Sequence, residues 1–212
     1  MDSPSLPIEE IRGELLDALQ APSPRILLKA PTGSGKSTGV PPMMDDAGLG
    51  ERGLIVVVQP RRMAARLLAR HVARLRGVEL GKEVGYVVRF ERHISPRTRI
   101  AYVTDGMLER WLTERPALEG VSAVVFDEFH ERSLSGDLSL GRVLDLQEGP
   151  RPDMAVAVMS ATLEISGLRD YMGASCRVLE AHGRQYPVET VYRAPRLGLH
   201  PQGRHPPQLY DA

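Results

Sequence analysis

Cysteine, asparagine, lysine and aromatic side chains are all scarce in this chain of 212 residues: one Cys, no Asn, three Lys against 24 Arg, and only six Tyr, three Phe and one Trp. The single Cys176 excludes an internal disulfide and a cysteine-built metal site, which fits a reducing compartment. With so few rings, the core must be built from Leu, Val, Ala and Ile. The Arg-over-Lys bias and the missing Asn read as codon usage in a GC-rich genome. Net charge is also missing: 27 Lys+Arg balance 27 Asp+Glu. Composition therefore offers no bulk basic signal for nucleic acid, although a local basic face stays open. No apolar run approaches the roughly 18 residues of a membrane span. The acidic start Met1-Asp2-Ser3-Pro4 is no signal peptide. Together these predict a soluble cytoplasmic protein with no membrane partner. The length is that of one ordinary domain, too short for a two-lobed motor.

What is present alternates between two periodicities. Ile8, Ile11, Leu15 and Leu19 recur at helical spacing after Pro7, until Pro22 and Pro24. Continuous apolar runs at 25–30, 54–58, 84–90, 98–103, 122–126 and 154–159 read as strands, with weaker ones at Val178 and 188–192. Between them, 62–76 predicts a helix with Met63, Leu67, Leu68, Val72 and Leu75 on its inner face. Asp105 reads as the cap of a helix carrying Met107, Leu108, Trp111 and Leu112, with Trp111 in the core. The stretch 134–147 predicts a helix with Leu134, Leu138, Val143 and Leu146 inside, and a short helix follows near 164–172. Apolar strands alternating with helices predict an α/β fold, a mostly parallel sheet with helices on both faces. One domain is expected over 1–193, its core at about 8–180. The Pro-rich remainder, 194–212, is expected to be a disordered tail, with His200 and His205 as solvated coil.

The strongest chemical signal is Ala30-Pro31-Thr32-Gly33-Ser34-Gly35-Lys36-Ser37, set between an expected strand and an expected helix. Gly33 and Gly35 let the backbone of Gly33-Ser34-Gly35 curl its N–H groups towards phosphate oxygens. Lys36 supplies a compact cation near the β- and γ-phosphates, Ser37 a hydroxyl for Mg²⁺, and the helix N-terminus a partial positive charge. The second signal, Asp127-Glu128-Phe129-His130, emerges at the carboxyl end of the run at 122–126, the edge where open α/β sheets bind ligands. There Asp127 would hold Mg²⁺ through water, and Glu128 would orient and deprotonate the attacking water. An acidic pair after a strand is often only a solvated turn; the phosphate loop upstream decides for chemistry. The two elements specify a P-loop nucleoside triphosphatase.

Three further segments follow strands: Pro60-Arg61-Arg62-Met63-Ala64-Ala65, Thr104-Asp105-Gly106-Met107-Leu108 and Ser160-Ala161-Thr162. With Asp-Glu-Phe-His-Glu-Arg at 127–132, this set resembles the DEAH/RHA group of superfamily 2 helicases, its HrpB-type branch in particular. The resemblance runs from about Ile8 to Tyr192 and includes Gly183 to Val188. It implies a first RecA-like lobe that binds ATP and Mg²⁺ through Gly33, Gly35, Lys36, Ser37 and Thr38. His130 would couple nucleotide state to the facing lobe, and Ser160 and Thr162 would link hydrolysis to strand separation. Arg61, Arg62, Thr104 and Gly106 would touch the backbone of nucleic acid, expected to be RNA. His71 falls where the family stacks an arginine on adenine. Pro41-Pro42, where the family has one proline, should shorten or kink the helix after the phosphate loop.

No arginine-bearing motif of a second RecA-like lobe is legible. The resemblance therefore implies a truncated ATPase lobe, with its partner lobe expected in a full-length protein and little unwinding by this chain alone. A stand-alone nucleotide-binding regulatory module remains the alternative, and a P-loop kinase a more distant one.

Overall fold

The computed structural model describes residues 6–162, 165–182 and 191. The expected strand at 188–192, the segment Gly183 to Val188 and the tail 194–212 lie outside them, Val191 apart. A 3-10 turn, Pro7–Ile11, leads into α1 (Arg12–Leu19). Then follow β1 (Arg25–Lys29), α2 (Lys36–Asp46), α3 (Leu49–Arg52), β2 (Leu54–Gln59), α4 (Arg62–Leu75), β3 (Val84–Val88) and β4 (Glu91–His93). The second half holds β5 (Ile100–Thr104), α5 (Asp105–Glu114), β6 (Val121–Phe126), a 3-10 turn Phe129–Glu131, α6 (Leu134–Glu148), β7 (Ala155–Ser160), α7 (Ile165–Met172) and β8 (Arg177–Glu180).

The eight strands form one sheet in the order β4-β3-β5-β2-β6-β7-β1-β8. Every neighbouring pair is parallel except β3–β4, a hairpin the sequence did not suggest. It turns at Phe90, whose φ of 70° is unusual for a bulky residue. The parallel strands other than the edge strand β8 are buried on both faces, hence their unbroken apolar runs. Alternate residues feed two cores. Ile26, Leu28, Ile55 and Val57 pack under α1 to α4. Leu27, Val56, Val58 and Val124 pack under α5, α6 and α7, together with Trp111, as expected.

The inner faces of two helices differ from the expectation. In α4 the buried residues are Ala65, Ala69, Val72 and Ala73, with Leu68 half-buried, whereas Met63, Leu67 and Leu75 are exposed. Three alanines let the helix lie close to the sheet, and bulkier side chains are pushed outward. In α6, Gly136, Ser139, Leu140, Val143, Leu144 and Gln147 face inward, and Leu134 and Leu138 are exposed. Asp105 does not cap α5. Thr104 occupies that position without a side-chain cap bond, and the Asp105 carboxylate instead accepts from Ser133 Oγ at 2.6 Å. Nor do the two prolines cut α2 short; it runs through both to Asp46.

Arg25 ties β1 to the lower end of the second core. Its buried guanidinium donates to Gln147 Oε1 (2.5 Å) and to the Met172 carbonyl (2.7 Å), and meets Glu148 at the surface (3.0 Å). Gln147 passes the bond on to the carbonyls of Pro24 and Met154. Removing the donor leaves buried acceptors unpaired, at a cost of about 1–3 kcal/mol each. Arg25→Ala should therefore lose about 2–4 kcal/mol in urea unfolding, whereas Glu148→Ala at the exposed end should change stability by less than about 1 kcal/mol.

Candidate functional site

Five adjacent strands, β5-β2-β6-β7-β1, run in the same direction, so their carboxyl ends share one edge. Along that edge the chain presents, in order, Thr104, Gln59-Pro60-Arg61, Asp127-Glu128, Ser160 and the loop after Lys29. With about 4.8 Å between strands, β1 and β6 stand roughly 10 Å apart with only β7 between them. The phosphate loop and the acidic pair thus face each other across a single strand.

The loop is shaped by Gly33 and Gly35, at φ values of 82° and 89° that disfavour any side chain. Its strand is tied to β7 by Ala30 N–H to the Ser160 carbonyl (3.0 Å), and its crest to the N-terminal turn by Ile8 N–H to the Ser34 carbonyl (3.1 Å). Ser34 is buried and its hydroxyl has no partner within the described residues. Lys36 opens α2 and is 3% exposed, with Nζ 3.0 Å from Glu128 Oε1. Thr38 Oγ1 bonds back to the Gly35 carbonyl at 3.3 Å.

Glu128 reaches Lys36 because its backbone is left-handed, at φ 49°. For a residue with a side chain this costs on the order of 1–2 kcal/mol. Its other oxygen lies 3.4 Å from His130 Nδ1, which is 3.3 Å from Ser160 Oγ. Ser160 Oγ in turn accepts from Thr162 N–H. Lys36, Glu128, His130, Ser160 and Thr162 therefore form one chain of contacts. Asp127 is buried beside it. One of its oxygens accepts from Glu128 N–H (2.9 Å), the other from the Gln59 amide. Burial pushes its carboxyl above the usual range; the Ser37 hydroxyl and Lys36 pull it back, and the Glu128 charge raises it.

The nucleic-acid candidates share the edge but not the contacts. Arg61 pairs with Glu131 at 3.1 Å, which links it to the turn holding His130. Arg62 and Gly106 are exposed, and a methyl group on Gly106 would meet nothing within 4 Å. His71 sits on α4, its Nδ1 3.0 Å from Arg74 Nη2, and makes no contact with the loop or the acidic pair. Gln59, which orients Asp127, escaped sequence reading. A buried polar residue closing the apolar run before Pro60 was the available sign.

The donors fit a hard divalent cation bound together with phosphate. Ser37, at the start of α2, and the buried Asp127 offer two oxygen ligands. Mg²⁺ takes only one or two such protein ligands, the rest being phosphate and water. No cluster of three or more His, Cys, Asp or Glu able to hold a metal exists among the described residues. A cage made of protein side chains alone is therefore not what this site provides.

The profile of the DEAD/DEAH box helicases matches residues 10–171. The chain is 43% identical to the ATP-dependent RNA helicase HrpB of Escherichia coli over 188 residues, 89% of this chain and 23% of the relative. It is 41% identical to the ATP-dependent RNA helicase DHX33 of Mus musculus over 193 residues, 89% of this chain and 27% of that one. The crystal structure of the E. coli DExH-box NTPase HrpB superimposes with a TM-score of 0.81 at 42% identity, covering 89% of this chain and 23% of that one. The chain thus spans about a quarter of the length of these relatives. No described helix is long and apolar enough to cross a membrane.

The buried Asp127 makes stability depend on pH with a definite sign. The folded state holds the proton more tightly than the unfolded chain, so stability declines as pH rises through the raised pKa. Above that value the desolvation cost is present in full. Asp127→Asn should stabilise the fold by about 1 kcal/mol in urea unfolding at pH 8. That gain should vanish as pH falls below the usual carboxylate range.

Proposed function

The chain belongs to the DEAD/DEAH box helicase family, and from that premise we propose that it is the first RecA-like, ATP-binding and ATP-hydrolysing lobe of an HrpB-like RNA helicase. The observation that carries this reading is the contact chain from Lys36 through Glu128 and His130 to Ser160, beside the buried Asp127.

The N–H groups of Gly33 to Thr38 and the start of α2 would hold the triphosphate, with His71 on the adenine side. Ser37 and Asp127 would hold Mg²⁺, which when bound neutralises charge on the phosphate oxygens. Lys36 would exchange Glu128 Oε1 for a phosphate oxygen. That exchange frees the carboxylate to take a proton from the attacking water. Gln59 keeps Asp127 in place meanwhile. Because His130 bridges Glu128 and Ser160, a change at the carboxylate passes to β7 and on to Thr162. RNA would lie along Arg61, Arg62, Thr104 and Gly106 through its backbone, without base reading. Arg61 would trade Glu131 for an RNA phosphate.

Turnover by this stretch alone should be slow. Among the described residues no arginine pairs with Asp127 or Glu128. Arginines that reach a phosphoryl-transfer site from elsewhere can contribute roughly 10³–10⁵ in rate. The relatives are about four times as long, and unwinding is proposed for a protein of that extent. Glu128→Gln should lower turnover about 10²–10⁴-fold while nucleotide binding stays within a few-fold of the parent. Lys36→Ala should lose both. Steady-state hydrolysis with and without RNA, paired with fluorescent-nucleotide titration, measures this. Binding without hydrolysis under any condition would favour a regulatory module, and no effect of either change would place the site elsewhere.

A further inference from the structure

Helix α2 carries two adjacent prolines in its second turn, and the carbonyl one turn before the first of them belongs to Ser37. In an uninterrupted helix the N–H of residue 41 would donate to that carbonyl. Proline has none. The bond is made from outside the helix: Tyr102 Oη donates to the Ser37 carbonyl at 2.8 Å. Tyr102 stands on β5 beneath α2 and is fully buried. A phenol is a hydrogen-bond donor at neutral pH. Ser37 is the residue whose hydroxyl, with Asp127, is read above as a ligand for the cation.

We propose that Tyr102 is a positioning residue for the cation half of the nucleotide site, its hydroxyl replacing the N–H that Pro41 lacks and so fixing the turn from which Ser37 would offer its hydroxyl to the cation. The inference rests on the nucleotide-binding reading above and assigns Tyr102 no contact with nucleotide. A structural role alone would weaken all binding together. A positioning role should appear in the part of affinity that depends on the cation.

The test is a cycle of Tyr102→Phe, Pro41→Ala and the double variant in the full chain. It is read by titration of a fluorescent ADP, with Mg²⁺ and with EDTA, beside thermal unfolding of each protein. Tyr102→Phe should weaken binding with Mg²⁺ about tenfold, or about 1.4 kcal/mol, and change binding in EDTA less than about twofold. Pro41→Ala alone should bind like the parent, since a carbonyl oxygen accepts two bonds. In the double variant the restored backbone N–H should recover most of the loss. An equal loss with and without Mg²⁺, or a double variant no better than Tyr102→Phe, would overturn the proposal. If Tyr102→Phe does not fold, the double variant decides: parental Mg²⁺ dependence supports the proposal and its loss overturns it. A parent chain that binds no nucleotide at all would instead overturn the functional reading, and this inference with it.

Discussion

Everything that this chain can do at its active edge depends on the parallel register of five neighbouring strands. Parallel strands deliver all their carboxyl ends to one side of the sheet. Each strand therefore hands over its terminal residues within roughly 5 Å of the next set. Residues far apart in sequence become neighbours: Lys36 and Glu128 meet at 3.0 Å, and Ser160 and His130 at 3.3 Å. The two apolar cores hold that register. They pack the alternate faces of the strands, so a slip of one residue would exchange the two interiors.

The edge itself is poorly optimised for stability. Asp127 is a carboxylate driven into a low-dielectric position, with Gln59, Ser37 and the Glu128 N–H only partly offsetting the desolvation. Glu128 holds a left-handed backbone that its neighbours must enforce. Ser34 keeps a buried hydroxyl without a partner among the described residues, and α2 lacks two of its own donors at Pro41 and Pro42. Such departures gather where chemistry needs fixed charges and exposed dipoles. They are carried by the rest of the fold, and Arg25 with Gln147 shows the opposite character, a buried polar cluster with its bonds well satisfied.

The neutral overall charge is compatible with this edge. Attraction for a polyanion needs only a local strip, and Arg61 and Arg62 begin one at the end of β2. Arg61 is already engaged with Glu131, three residues beyond Glu128. A phosphate that displaces Glu131 would act on the same 3-10 turn that carries His130. The proposed nucleic-acid face and the proposed hydrolytic face are thus mechanically adjacent, joined by a turn of three residues.

Much of this is legible in the sequence, for a physical reason. Unbroken apolar runs and Gly-rich turns are local properties, so the strands, the phosphate loop, the acidic pair and the shared edge all follow from short stretches of chain. Helix faces did not follow. Leu and Met at helical spacing look like a core stripe, yet Met63 and Leu67 are exposed, because Ala65, Ala69 and Ala73 are what fit close against the sheet. The β3–β4 hairpin was not legible, because the strand expected over 84–90 stops before β4, whose Glu91-Arg92-His93 carries no apolar pattern. Gln59 on Asp127 and Tyr102 on Ser37 were invisible too, since each bond joins residues more than 60 positions apart. The residues by themselves determined which chemical groups the edge would carry. Only the packing of strand on strand and helix on sheet decided which of those groups touch, because proximity across the edge depends on register and close approach, not on distance along the chain.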